Sequence, residues 1–268
     1  MAKSNKSNDT IGRTLFVTIL LSLVCSIMVS SAAVFLKPKQ KLNESVNLQR
    51  SILAISGLAP DAKSLSVDDV SRLFSQITPK LVDLETGRFV DATPAAVDAY
   101  DQRLAAKDPK ASHALSSAED IASIKRQANI AKVYLIEKQD QLQTLILPVH
   151  GYGLWSTLYG FLALDGDLET VAGLGFYEHA ETPGLGGEVD NPVWKAKWPG
   201  KEVYDANGDV KLSVIKGIAD NSSPSAKYQV DGLAGATLTS NGVSNLIHFW
   251  MGKNGFASFI NNLKAGSA

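Results

Sequence analysis

The amino-acid sequence predicts an α+β protein, in which one N-terminal transmembrane helix precedes an antiparallel sheet with helices packed on it. Three observations support this class. Residues 14–36 contain no formal charge, and a helix of that length crosses a hydrocarbon core of about 30 Å. Two pairs of apolar segments, each pair joined by a short polar turn, are typical of β-hairpins. Apolar residues at helical spacing then dominate the C-terminal end.

The charge of the chain is divided unevenly. The 268 residues have a formal net charge of −1, but residues 1–41 carry six basic residues and one acidic residue. Basic residues on both sides of an apolar run are typical of a membrane anchor, and Lys37-Pro38-Lys39 closes this run. A cleaved signal peptide is the alternative, because Ser30-Ser31-Ala32 resembles a cleavage site, although the apolar region of such peptides spans about 7–15 residues. Basic residues before and after the run are equally frequent, so they leave its orientation open.

Composition and motifs exclude several classes of function. A net charge near zero gives no footprint for a nucleic acid. The single cysteine, Cys25, excludes an internal disulfide framework and a zinc site built on cysteines. Motifs for dinucleotide binding, a P-loop or a nucleophile elbow do not occur, and His179-Ala180-Glu181 lacks the cysteines that a zinc deaminase requires. We therefore expect no metal site, no nucleic-acid partner and no catalytic residue in this chain.

Helices are expected first in the body that follows the anchor. Apolar spacing over residues 42–57 predicts that the membrane helix continues outward. Residues 66–76 begin with a serine and two acidic residues, which favour a helix start. A third helix is predicted over residues 93–106, because Pro94 suits the first helical position. Residues 107–127 are polar and are predicted to form a loop.

Strands are predicted next, as two hairpins and a pair of edge strands. In each pair, apolar residues flank a short polar turn. The predicted strands are 131–136 with 142–147, 160–164 with 171–176, and 203–204 with 210–214 around Asn207-Gly208. A terminal helix over residues 238–251 and a shorter one over 256–263 follow, and His248 is predicted to be an ordinary half-buried residue of the first.

Two glycine-containing stretches remain. Residues 176–188 place ionisable side chains at a strand end before a glycine-rich turn, which is either a surface turn or a close approach to a ligand. Residues 231–240 lead into the terminal helix, where Thr237, Thr239 and Ser240 are candidate N-caps. The alternative is an anion site, since a helix N-terminus accepts a phosphate.

These stretches together resemble a known family. Asp231 to Thr237 is similar to the motif D-x-x-[ST]-G-A-[ST] of extracytoplasmic FMN-binding domains, with Ala234 where the motif prefers a hydroxyl. H-A-E-T-P-G-L-G, beginning at His179, lies upstream of it. With one N-terminal span, the whole chain resembles the C subunit of the Na⁺-translocating NADH:quinone oxidoreductase.

The resemblance implies an FMN site and its residues. In the family, the last threonine of the motif bonds covalently to the FMN phosphate, which corresponds to Thr237 here and would make the chain a phosphoprotein. The other positions that it implies are Asp231, Gly235, Ala236, Leu238 and Thr239 around Thr237; Glu178, His179, Glu181, Thr182, Leu185 and Gly186 in the second motif; and Trp155 in Gly153-Leu154-Trp155.

The function implied is electron transfer within a membrane complex that oxidises NADH, reduces ubiquinone and exports Na⁺. Other subunits would be its partners and would hold the NADH and quinone sites, and a flavin transferase would attach FMN. The resemblance implies a single-pass protein of the bacterial inner membrane: a cytoplasmic tail (1–13), the membrane helix (14–36), a helical linker (37–127) and a periplasmic FMN-binding domain (128–268). The alternatives are the G subunit of the related Rnf complex and a membrane-anchored, non-redox binding module.

Overall fold

The computed structural model describes residues 10–268, and the chain divides into a first unit that ends at Asn47 and a second unit, Leu48–Ala268. The predicted cytoplasmic tail therefore lies largely outside the described residues. Helix α1 begins at Ile11 and ends at Ile55, so it includes the predicted span and all but the last two residues of the predicted outward extension, 42–57. It continues through Pro38, where the sequence placed the end of the membrane run.

The apolar part of α1 is suited to lipid by length and composition. An 18-residue window has a mean hydropathy of 2.5, and none of that window is buried inside the structure. A helix of this kind, close to the N-terminus of a chain, fits a single membrane crossing.

The second unit is built on a six-stranded antiparallel sheet with the order β2-β1-β5-β6-β7-β8. Both predicted hairpins are confirmed and are longer than expected. In the first, Gln139 and Asp140 have φ of 53° and 59°, which is the left-handed geometry of a two-residue turn. The strands of this sheet are β1 (Thr78–Asp83), β2 (Arg88–Phe89), β5 (Ile130–Lys138), β6 (Gln141–Tyr152), β7 (Thr157–Asp165) and β8 (Val171–Glu178).

Helices pack against this sheet, most of them at positions close to those predicted. Ser66 accepts a hydrogen bond from the amide of Asp69 and so caps the first of them. The helices are α2 (Val67–Phe74), α3 (Pro94–Ala99), α4 (Gln102–Ala105), α5 (Pro192–Lys195), α6 (Thr237–Met251) and α7 (Ala257–Lys264), with short 3₁₀ turns at Ala62–Ser64, Gly186–Asp190 and Pro224–Tyr228.

The single helix predicted over residues 93–106 was wrong, because Tyr100 interrupts it. Tyr100 has extended backbone angles, and its hydroxyl donates a 2.7 Å hydrogen bond to the carbonyl of Ile130 on β5. Asp101 then caps a separate helix by accepting from the amides of Arg103 and Leu104. A tertiary contact thus overrides a run of residues with good helical propensity.

The region predicted as loop, 107–127, also contains part of a small hairpin: β3 (Ser112–Ala114) pairs with β4 (Arg126–Ala128). The predicted pair of edge strands around Asn207-Gly208 forms only in part. Tyr204 and Val210 form one isolated bridge, while β9 (Ser213–Val214) pairs in parallel with β10 (Gln229–Val230) outside the main sheet.

Helix α6 packs against β6, and this packing fixes the position of the N-terminus of α6. Trp250 is fully buried, and its indole N–H donates to the carbonyl of His150 at 2.7 Å. A Cβ on Gly151 would lie 2.7 Å from the Cβ of Leu246, so helix and strand touch there. Half-buried His248 contacts the carbonyl of Leu212, as expected for a structural histidine. The start of α6 is thereby placed beside the turn between β6 and β7.

Candidate functional site

The first turn of α6 has no side-chain cap. The capping position is Ala236, which has no side-chain acceptor, and Thr237 is the first helical residue. Among residues 10–268, the hydroxyl of exposed Thr237 forms no hydrogen bond, nor do the amides of Thr237, Leu238 and Thr239. The prediction that a hydroxyl side chain caps this helix was therefore wrong. Three free amides and the positive end of the helix dipole face the same position.

The other two cap candidates serve different contacts. Ser240 accepts a hydrogen bond from the amide of Leu233 at 3.0 Å, which holds the preceding turn against the helix. Thr239 is fully buried, and its hydroxyl donates to Glu181 Oε2 at 2.7 Å. Both side chains thus fix the backbone on either side of Thr237, whose own side chain is left free.

Glu181 joins the glycine-rich loop to two other segments. Besides Thr239, its carboxylate contacts a turn between β6 and β7: Oε1 accepts from the amides of Leu154 and Trp155 at 3.0 Å each, and of Ser156 at 3.3 Å. Burial alone would raise the pKa of Glu181, but these hydrogen bonds from Thr239 and the amides outweigh it and lower the pKa below its ordinary value. Glu181 is therefore an ionised, buried carboxylate at neutral pH.

Exposed apolar side chains lie around the same position. Trp155 is 66% exposed, Leu185 44% and Leu238 58%. Gly235 has a φ of +70°, and a Cβ there would lie 3.0 Å from Leu185 Cδ2, so this loop lies directly against the turn before α6. Gly235 is thus required by its left-handed backbone, and the rim of the site is apolar.

Other predicted site residues are held by side chains outside the motifs. Arg103 forms a bidentate pair with Glu178, at 2.6 and 2.9 Å, and lowers the pKa of that carboxyl. Sequence reasoning did not identify Arg103, because it lies 75 residues from its partner on a helix with no motif.

His179 and Asp231 are held in the same way. The ring Nε2 of His179 lies 3.0 Å from Asp190 Oδ2, while its Nδ1 accepts from the amide of Glu181 at 3.2 Å. Asp231 pairs with Lys197 and accepts from the amide of Ala219 at 2.9 Å. Burial raises the pKa of Asp231, but these contacts lower it overall. Their side chains stabilise the loops on either side of the site.

A cavity of about 560 Å³ lies elsewhere on the second unit. It is bordered by α4, the 123–126 loop and strands β6 to β8, and its lining includes Arg103, His150 and Tyr159. Burial lowers the pKa of His150 to about 4, so this ring is neutral at physiological pH. None of the predicted site residues lines the cavity. Thr237 lies outside this cavity and is exposed at the surface.

The residues around Thr237 fit a phosphorylated, planar cofactor. Free amides at a helix start bind phosphate oxygens, and Ala236 and Gly235 add no side-chain bulk beside them. Thr237 supplies an exposed hydroxyl, and the apolar side chains of Trp155 and Leu185 offer surfaces for a ring system. Thr182 contributes its carbonyl, which accepts from the amides of Leu185 and Gly187 and shapes the loop.

Comparison with known proteins agrees with this arrangement. A model of the FMN-binding domain matches residues 153–252, which include both motifs. The C subunit of the Na⁺-translocating NADH-quinone reductase of Pseudomonas aeruginosa is 58% identical over 99% of this chain and 100% of its own length. The corresponding C subunit of Vibrio alginolyticus is 47% identical over 97% of this chain and 98% of its own.

Solved structures show the same fold. Shewanella oneidensis NqrC is 34% identical and superimposes with a TM-score of 0.74, covering 85% of this chain and 99% of that one. The C subunit of the Na⁺-translocating NADH-quinone reductase from Parabacteroides distasonis is 25% identical, with a TM-score of 0.62 over 84% and 96% of the two chains. The α+β class and the resemblance seen in the motifs are confirmed. By its sequence and its fold, the chain belongs to the family of C subunits of the Na⁺-translocating NADH-quinone reductases.

Proposed function

We propose that this chain is the electron-transfer subunit of a Na⁺-translocating NADH:ubiquinone reductase and carries FMN bound covalently, through its phosphate, to Thr237. The observation that carries the proposal is the hydroxyl of Thr237, which is exposed, forms no hydrogen bond among residues 10–268 and lies at the start of a helix without a side-chain cap. The match to an FMN-binding domain and the named relatives support it.

The residues of the site hold the phosphate and orient the ring. A phosphodiester at Thr237 keeps one negative charge, which the amides of Thr237, Leu238 and Thr239 stabilise together with the helix dipole. Gly235 and Ala236 leave room for the phosphate, and Leu185, Gly186 and Trp155 border the ring. FMN supplies the redox chemistry when bound, and the chain supplies its position and electrostatic surroundings.

The remaining parts of the complex follow from the same proposal. We assign NADH oxidation, ubiquinone reduction and the Na⁺ path to other subunits, since the chain has no dinucleotide fingerprint and no charge between residues 14 and 36. Helix α1 anchors the chain in the bacterial inner membrane, with the FMN domain, residues 128–268, on the periplasmic side. A flavin transferase using FAD and Mg²⁺ attaches the cofactor.

Two alternatives are disfavoured by particular observations. A non-redox module would use the Thr237 region as a helix cap, whereas the capping position is Ala236 and lacks a side-chain acceptor. The G subunit of an Rnf complex is disfavoured by the relatives, which are named as C subunits of the reductase and match nearly the whole chain.

Co-expression with and without a flavin transferase tests the proposal. The full chain is examined by denaturing gel under ultraviolet light and by intact mass. We expect a fluorescent band and a mass gain of one FMN less water only when the transferase is present. A dark band, with the transferase active on a control substrate, overturns the covalent assignment.

Leu185 provides a test of the ring environment. Its side chain is apolar and borders the proposed position of the flavin, so replacing it with alanine admits water there. Because a more polar setting stabilises added negative charge, we expect Leu185→Ala to raise the flavin midpoint potential. Redox titration of the holoprotein measures this, with Val193→Ala as control, since Val193 is also exposed and apolar. An unchanged potential in Leu185→Ala contradicts a contact between Leu185 and the ring.

A further inference from the structure

Protein groups engage both oxygens of the Glu181 carboxylate. It makes four hydrogen bonds, three through Oε1 and one through Oε2. The residue is 5% exposed. Since Glu181 lies within the motif of the proposed FMN site but does not face solvent there, its role differs from that of a ligand.

We infer that Glu181 is a positioning residue whose ionised carboxylate locks the turn carrying Trp155 to the first turn of α6, which carries Thr237. The inference rests on the proposed attachment of FMN at Thr237. Through its hydrogen bonds, Glu181 joins three segments that are distant in sequence: residues 154–156, the loop at 181–186, and residues 237–239. The contact from Glu181 to Thr239 alone spans 58 residues.

The local chemistry favours the charged form of this lock. Three consecutive amides converge on Oε1, an arrangement of backbone dipoles that stabilises an anion. Hydrogen bonds to an ionised acceptor are stronger than neutral ones. A neutral side chain of the same shape would weaken all four contacts at once.

The surrounding backbone is shaped around the carboxylate. A Cβ on Gly153 would lie 2.6 Å from Oε1 of Glu181. A Cβ on Gly186 would lie 2.6 Å from Oε2 and 2.5 Å from the hydroxyl of Thr239. Glycine is therefore needed at both positions, because the Glu181 carboxylate occupies the space that a side chain would fill. Side chains at these positions would push the turn and the helix apart.

The rate of FMN attachment tests this role in the full chain. Purified apoprotein is treated with flavin transferase, FAD and Mg²⁺, and in-gel fluorescence gives the initial rate. We expect Glu181→Gln to slow attachment about tenfold, which corresponds to ~1.4 kcal/mol. The matched control is Glu202→Gln, which removes the same charge from an exposed pair with Lys227 and leaves the rate unchanged.

A second variant separates positioning from a general loss of stability. Thr239→Val keeps the Glu181 charge and removes only its link to α6. If the two residues act through one contact, the double variant slows attachment no more than the more severe single variant, since effects at a shared contact are not additive. We also expect the anisotropy of the attached flavin to fall in both variants, because in each of them the turn carrying Trp155 is no longer tied to α6.

Two outcomes overturn the inference. One is a wild-type rate of attachment together with wild-type flavin anisotropy in Thr239→Val. If Glu181→Gln does not fold, Thr239→Val alone tests the positioning role. The other is additive slowing in the double variant. Failure of the wild-type chain to accept FMN would instead overturn the proposed function, so the two failures are distinguishable.

Discussion

We expect replacement of Thr237 with valine to abolish the proposed covalent attachment of FMN and to leave the fold intact. Valine has the shape of threonine but no oxygen to bond to phosphorus. The side chain at this position is exposed and forms no hydrogen bond within residues 10–268, so the free energy of unfolding should change by no more than about 0.5 kcal/mol. Intact mass and in-gel fluorescence after co-expression with the transferase measure the loss, and circular dichroism checks the fold.

The matched control for this experiment is Thr237→Ser. Serine keeps the hydroxyl, and the motif that Thr237 matches accepts either residue, so the serine variant should remain fluorescent. Covalent FMN on the valine variant would show that another residue is the attachment site.

We expect replacement of Trp250 with alanine to destabilise the second unit strongly. Trp250 is fully buried, donates to His150 and packs within 5.5 Å, centroid to centroid, of the rings of His150, Phe249 and Phe256. Loss of a buried tryptophan costs about 3–5 kcal/mol, which is a large share of the stability of a domain. Because Trp250 holds α6 on the sheet, flavin attachment at the other end of α6 should also fall.

Trp155→Ala is the control, since it is the same substitution at a side chain that is 66% exposed. Its effect on the free energy of unfolding should stay within about 0.5 kcal/mol. The free energies of unfolding of the two variants are compared by denaturant unfolding of the full chain in detergent, monitored by near-ultraviolet circular dichroism. Equal destabilisation by both would contradict the packing described for α6.

The fold was predictable where the signal is local. The hairpins were visible because strand alternation and turn residues lie within one short window, and α1 because its uncharged run is continuous. The break at Tyr100 depends on a hydrogen bond to Ile130, and β9 finds its partner β10 more than a dozen residues later. Contacts of this kind leave no periodicity in the sequence.

The sequence predicted which residues belong to the candidate site but not which of them contact one another. The two motifs named Thr237 and Glu181, yet nothing in their spacing indicated that Glu181 reaches the turn at Trp155. The N-cap prediction failed because α6 begins at Thr237, so all three hydroxyl residues lie inside the helix and the capping position falls on Ala236, which has low cap propensity. The proposed cofactor roles of these residues remain predictions.

The uncapped start of α6 has a consequence for hydrogen exchange. In the apoprotein, the amides of Thr237, Leu238 and Thr239 have no acceptor among residues 10–268, so they should exchange with solvent deuterium faster than the amides deeper in the helix. Phosphate oxygens attached at Thr237 would serve as the missing cap, and caps of this kind stabilise a helix by about 1 kcal/mol. Modification would then slow exchange across the first turn, so the chain would complete the start of α6 only after it receives its cofactor.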